Sequence, residues 1–282
     1  MVTGMQKITG ISSSSLFAQS AMKLHALTLA RTAAQISSGN RLVFGAIDPS
    51  GLGIATSFSS QLSGISQAIY NTQDTANLTR TADSALGTQQ DVLIRMRDLA
   101  VRAAGDAALN PADQDRLDKE FQSLKSQITQ TGQAAQFNTK QLLTDTPGQT
   151  YGVQTAQVGP GSADQLDVAI DPSTAAAVGI AGSDVATAAT ARQAITDIDA
   201  ALQQVSSQRA NLGVTENRLG FAREDLYAQQ INTAASLSTI ADTDIAATIQ
   251  ERNTGILLNQ LAISALSQAK AQAFAVSRLL GA

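Results

Sequence analysis

The sequence predicts a mainly α chain: long antiparallel coiled-coil helices folded back as a hairpin, with a small β-hairpin element in the middle. Three observations carry this expectation. Apolar and small residues recur at alternating steps of three and four over many turns, which is the period of a helix seam. Aromatic residues are only 4% of the chain and Trp is absent, so large side chains for a thick globular core are scarce. Long, thin helices packed through small residues suit that composition. The helical period also lapses between about residues 138 and 182, where short alternating runs replace it.

The elements follow in order. Leu16, Ser20, Leu24, Leu27, Arg31 and Ala34 mark one face of a first helix over Ser12–Ser38, which Leu29 and Ile36 widen. Gly39-Asn40 suits its end. Residues 41–53 hold turn chemistry, including Asp48-Pro49-Ser50-Gly51, and read as a connector. A very long helix over Leu52–Ala104 carries Phe58, Leu62, Ile65, Ile69, Thr72, Ala76 and Thr79, then Leu86, Leu93, Met96, Ala100 and Ala103. Gly105 stops it, and Asn110-Pro111 opens a shorter helix to about Thr131, broken by Gly132 to Phe137. Tyr151–Val158 and Leu166–Ile170, separated by Gly159-Pro160-Gly161, read as the β-hairpin.

Asp184 to Ile240 holds the cleanest repeat. Ile198, Val205, Leu212, Leu219, Leu226, Thr233 and Ile240 recur every seven residues. The companion row is Ile195, Leu202, Arg209, Glu216, Arg223, Gln230 and Leu237, polar through its middle. Two readings of that row stand side by side: a wet edge on an ordinary coiled coil, or polar residues that fix register and partner number.

The last stretch, Thr239–Ala282, is the organising one. Asp242 or Thr243 can cap its helix, and Arg278 sits near the end, where the helix dipole favours a cation. No charged residue lies between Arg252 and Lys270, and Ile256, Leu257, Leu258, Leu261, Ile263 and Leu266 point around most of the circumference. A helix apolar on nearly every side must be covered on nearly every side. It therefore needs other helices, from this chain or from neighbouring copies. Helices at both ends flank a middle with a β element. The terminal helices 1–38 and 242–282 would make one layer, and helices 52–104, 112–131 and 184–240 the next.

Chemistry for other function classes is missing from the sequence. Net charge is −4 and Cys is absent, so neither a nucleic-acid footprint nor thiolate metal sites are expected. The lone His25 lacks clustered ligands, and Gly51-Leu52-Gly53 falls short of a dinucleotide fingerprint. No catalytic residue, metal site or cofactor is expected. Asp113, Asp115, Asp118 and Glu120 open a helix and suit its dipole. Polar residues dilute the uncharged run 253–269, so no membrane span is expected, and Met1–Gly10 lacks the apolar segment of a cleavable signal peptide.

Several segments resemble one family. Gln35-Ile36-Ser37-Ser38-Gly39-Asn40-Arg41-Leu42 is similar to the QxxSSGxRI-type element of bacterial flagellins, the subunits of flagellar filaments. Asp48 to Ala55 resembles the DDAAGLAIA element, with Pro49 in place of an acidic residue. Ile94 to Val101 resembles QRVRELAV, with Ile94 for Gln, Met96 altered and Asp98 for Glu. Gln136-Phe137-Asn138 with Leu142-Leu143 resembles QFNGxxLL. Ile240 to Asp244 resembles the start of the C-terminal helix, and Ile256-Leu257 with Leu279-Leu280 its end. The resemblance spans about residues 1–145 and 184–282.

The resemblance implies a homopolymer. Residues 1–45 with 240–282 would form an inner-tube layer, and 46–239 an outer-tube domain with its β element at about 138–182 and no outer variable domains. Leu24, Leu27, Ile249, Leu257, Leu261, Leu266 and Leu280 would then form the polymerisation core. Phe58, Ile65, Leu212, Leu219 and Leu226 would hold the helix seam within the chain. In some members, residues matching Arg95, Leu99 and Glu120 contact an innate immune receptor. Hook-associated and cap proteins, an export chaperone and the flagellar secretion apparatus are further implied partners. Export without a cleavable signal, to an extracellular flagellum, is also implied. The alternatives are the related hook–filament junction protein and, from another class, a membrane-tethered coiled-coil sensor, which would need a spanning helix.

Overall fold

The computed structural model describes residues 2–105, 110–144 and 152–279. The chain opens with α1 (Val2–Ser38), α2 (Pro49–Ala103) and α3 (Pro111–Ala134). Two small antiparallel pairs follow: β1 (Gln136–Phe137) with β2 (Lys140–Gln141), and β3 (Gly152–Gln157) with β4 (Gln165–Ile170). Helices α4 (Ala188–Ala241) and α5 (Ile245–Leu279) complete it.

Local chemistry explains the boundaries. α1 begins at Val2, ten residues before the expected start, and ends at Gly39, whose φ of +67° is the left-handed conformation glycine adopts without strain. The Gly39 N–H donates to the Gln35 carbonyl at 2.9 Å. Pro49 takes the first position of α2, where a missing N–H costs nothing, and Asp48 Oδ1 accepts from the Gly51 N–H at 2.8 Å. Asn110 caps α3 through the Asp113 N–H. Thr187 and Thr190 exchange side chain–backbone hydrogen bonds at the start of α4, four residues later than expected.

Three details correct the sequence expectation. Asp244, not Asp242 or Thr243, accepts from the Ala247 N–H at 3.0 Å and caps α5. Asp242 is drawn instead to the Ser238 hydroxyl and to a backbone bridge with Asn40. α3 continues through Gly132 to Ala134 because Gly132 is a close approach rather than a break. A Cβ there would lie 3.3 Å from the Ser173 carbonyl and 3.4 Å from Gln89 Nε2. The β1–β2 pair has no counterpart in the sequence expectation; Asn138 and Thr139, with φ of +49° and +67°, form its tight turn. In the second pair Leu166, Val168 and Ile170 point inward. Tyr151, expected in that hairpin, lies outside the described residues.

The chain divides into two compact units, Gln61–Ile231 and Met1–Ser60 with Asn232–Ala282. Within Gln61–Ile231 one core runs along α2, α3 and α4 and under β4, with Leu86, Leu93, Met96, Phe121, Ile128 and Ile198 wholly buried. A polar group sits in that core. Gln89 Nε2 donates to the carbonyls of Ile128 at 3.0 Å and Ser173 at 2.7 Å, and its Oε1 accepts from the Ser173 hydroxyl. Gln89 and Ser173 are both fully buried, so this small network ties α2 to α3 and to the segment after β4. Farther along, Ile65 packs with Leu226, and Leu219 with Ala76 and Leu166.

In the other unit the turn after α1 is stitched to the turn before α5. The Arg41 N–H donates to the Ala241 carbonyl at 2.7 Å, and the Thr243 N–H to the Gly39 carbonyl at 2.9 Å. The Arg41 guanidinium also donates to the Ile240 carbonyl, and Gln35 Nε2 to the Arg41 carbonyl. Leu42 anchors the turn against Ala55, Leu237, Ile240 and Ala241.

Candidate assembly surface

α1 and α5 pack antiparallel: Arg31 pairs with Glu251 at 2.6 Å, and Leu29 lies against Gly255, where a Cβ would meet it at 3.2 Å. The residues buried between them are small or polar: Thr32, Gln35, Thr248 and Gly255. Leu29 aside, most of the large apolar residues of the pair stay open. Leu24, Leu27, Leu257 and Leu261 are each 60% or more exposed, and Leu16 and Phe17 are exposed as well. Ile249 is 42% exposed and Leu266 half-buried. Leu280 lies outside the described residues. This is the reverse of a helix pair folded for its own sake, which puts its large apolar stripe inside. Large apolar side chains left open along two paired helices mark a candidate interaction surface.

Of the seam residues, Ile65, Leu212, Leu219 and Leu226 are at most 2% exposed, and Phe58 is half-buried. Of the three residues matched to receptor contact, Arg95 and Glu120 form an exposed ion pair at 2.8 Å, whereas Leu99 is 3% exposed and belongs to the core. The acidic run before it is used locally: Asp113 pairs with Arg116, Asp115 with Lys119, and Asp118 accepts from the Val185 N–H.

Elsewhere on the helices, Arg97 and Asp199 pair at 2.6 Å. The hydrogen bond from Arg97 holds the Asp199 carboxyl below its ordinary range, and Asp199 raises the guanidinium in return. Asp83 likewise raises Arg209. Sequence reasoning missed the exposed apolar cluster around the first turn, Val43, Phe44, Ile47, Leu52 and Ile54. Its signal was present as apolar residues inside a segment rich in turn formers.

Two family models match the chain: the bacterial flagellin N-terminal helical region over residues 12–147 and the C-terminal helical region over 195–280. A flagellin of Halalkalibacterium halodurans is 35% identical over 87% of this chain and 89% of its own length. The chain belongs to the bacterial flagellin family. A flagellar filament core protein of Brachyspira hyodysenteriae is 31% identical over 95% of this chain and 97% of its own. The crystal structure of Bacillus cereus flagellin superposes with a TM-score of 0.51 at 33% identity, covering 60% of this chain and 94% of that one. A flagellar hook-associated protein of Vibrio parahaemolyticus shares the fold at 16% identity, with a TM-score of 0.59 over 70% of this chain and 100% of its own. Flagellin is a structural family, and membership makes this chain a subunit of the flagellar filament. The junction-protein alternative is not favoured. No helix among the described residues is long and apolar enough to cross a membrane, which the sensor alternative requires.

Proposed function

We propose that this flagellin polymerises by burying the outward faces of α1 and α5 against further copies of itself. One observation carries the reading: the helix pair closes on Thr32, Gln35, Thr248 and Gly255 while presenting Leu24, Leu27, Leu257 and Leu261 to the outside. Ile249 and Leu266 lie on the same helix, and Leu280 joins the proposed set on sequence alone. Burial contributes about 25 cal/mol per Å² of apolar surface, so repeated contacts along and across a polymer offset the cost of ordering each subunit. On this reading residues 1–45 with 240–282 line the inner tube, and 46–239 form the outer one.

The same exposed face explains the further partners. An apolar α5 needs cover before assembly, which fits a cytosolic export chaperone. Passage through the flagellar secretion apparatus without cleavage then delivers the chain to a cap protein at the growing end. For an innate immune receptor, Arg95 and Glu120 are the accessible part of the matched set.

Electron microscopy of purified protein seeded with short filaments tests the reading, with a version lacking residues 242–282 alongside. The full chain is expected to extend the seeds as open-ended hollow tubes and the shortened one to leave them unchanged. Extension by both overturns the role given to α5.

A further inference from the structure

The polar row of α4 has partners at every rung. Arg209 lies over Gly87, its guanidinium carbon 3.7 Å from where a Cβ would stand, and bonds both Asp83 at 2.8 Å and Gln90 at 2.7 Å, one turn to either side. Glu216 pairs with Arg80 at 2.5 Å. Arg223 donates to Gln73 at 2.8 Å, and Gln230 to the Ser66 hydroxyl at 3.1 Å. Each step of seven forward along α4 is matched by a step of seven back along α2.

These contacts are half-exposed: the side chains of Arg80 and Glu216 are 55% and 38% accessible, and those of Arg209 and Asp83 37% and 40%. Pairs of that kind contribute little net stability. Their order along the helix has a larger consequence. A coiled coil can slip by one heptad, about 10 Å, and still bring the same faces together. Midway along the ladder α2 offers the seam only small or polar residues, Thr72, Ala76 and Thr79, so large apolar side chains mark the register less there. The polar row opposes a slip through charge. One heptad in one direction brings Arg223 opposite Arg80 and places Glu216 over Gly87, beside Asp83. One heptad in the other direction brings Arg209 opposite Arg80.

We infer that the ladder is a register device: Arg80, met by an arginine in either slipped alignment, confines α2 and α4 to one heptad register.

A rung swap distinguishes a register device from a simple ion pair. Arg80→Glu with Glu216→Arg restores the native pair with its charges exchanged. In the slipped alignments the introduced glutamate on α2 meets Arg223 or Arg209, and the introduced arginine on α4 comes beside Asp83, so every repulsion becomes an attraction. Because the chain has no Cys, introduced cysteines report the register. Ser66→Cys with Gln230→Cys marks the native one. Gln73→Cys with Gln230→Cys, and Ser66→Cys with Arg223→Cys, mark the two slips. A short bifunctional thiol reagent on the full chain is expected to link only the native pair in the natural ladder. In the swapped ladder, slipped-pair yield is expected to rise roughly tenfold at unchanged helix content. Native-only linkage in the swapped chain overturns the inference. Should the swap lose helix content, Arg80→Ala, which removes both arginine encounters, is read in its place with the same two outcomes.

Discussion

Leu257→Asp is expected to abolish filament growth while leaving the isolated chain folded. Leu257 is 60% exposed on α5, and neighbours within the chain do not enclose it. Exposed substitutions away from caps and networks change stability by about 0.5 kcal/mol or less. On the proposed assembly the same position enters an apolar layer. There the change forgoes about 1.5–3 kcal/mol of leucine burial and adds the desolvation of a carboxylate in a stretch with no cation between Arg252 and Lys270. Together these raise the critical concentration by roughly a thousandfold or more. Leu257→Ala, which loses only the burial, is expected to raise it far less. Seeded growth followed by light scattering, with circular dichroism of the unpolymerised chain, separates the two effects. Normal growth of Leu257→Asp removes α5 from the interface.

The second large effect is on folding. Gln89→Leu keeps volume in the core but leaves the Ser173 hydroxyl and carbonyl without their partner, both in a wholly buried place. Each orphaned group costs about 1–3 kcal/mol, so destabilisation of about 3 kcal/mol is expected, roughly 6–12 °C in thermal midpoint. Adding Ser173→Ala removes one orphan and should recover part of the loss, while the Ser173 carbonyl stays unpaired. A midpoint for Gln89→Leu within a degree or two of the parent contradicts the account of this network. A double variant no better than the single one means the hydroxyl finds another partner.

How much of this was legible in the sequence depended on how local each signal was. The seven-residue row Ile198 to Leu226 is local, so it marked α4 and its buried face directly. The polar row beside it was equally visible but ambiguous, because the groups that explain it stand on α2, more than a hundred residues earlier: Asp83, Arg80 and Gln73. Gly132 reads as a helix stop from local rules and is instead a point of contact with Ser173, which no local window contains. The β1–β2 turn escaped notice because two-residue strands carry no alternation and Asn138-Thr139 lacks the glycine that usually marks such turns. At the start of α5 three adjacent residues could cap the helix; Asp244 does so, while Asp242 is engaged with Ser238 and Asn40.

The assembly surface was legible in a different way. An uncharged run from Asn253 to Ala269 told that α5 needs cover, without telling which side the chain itself provides. The structure answers with Thr248 and Gly255 inward and Leu257 and Leu261 outward. Gly255 at the helix contact lets α1 and α5 approach closely, and Leu24, Leu27, Leu257 and Leu261 stay exposed.

Amide hydrogen exchange, compared between the isolated chain and filaments of the same chain, tests that arrangement most directly. Burial of both terminal helices in the polymer is expected to slow exchange most along 16–38 and 245–279, with 61–231 changing less because its core is already closed. Slowing confined to 61–231, with both terminal helices exchanging as they do in the isolated chain, would contradict it.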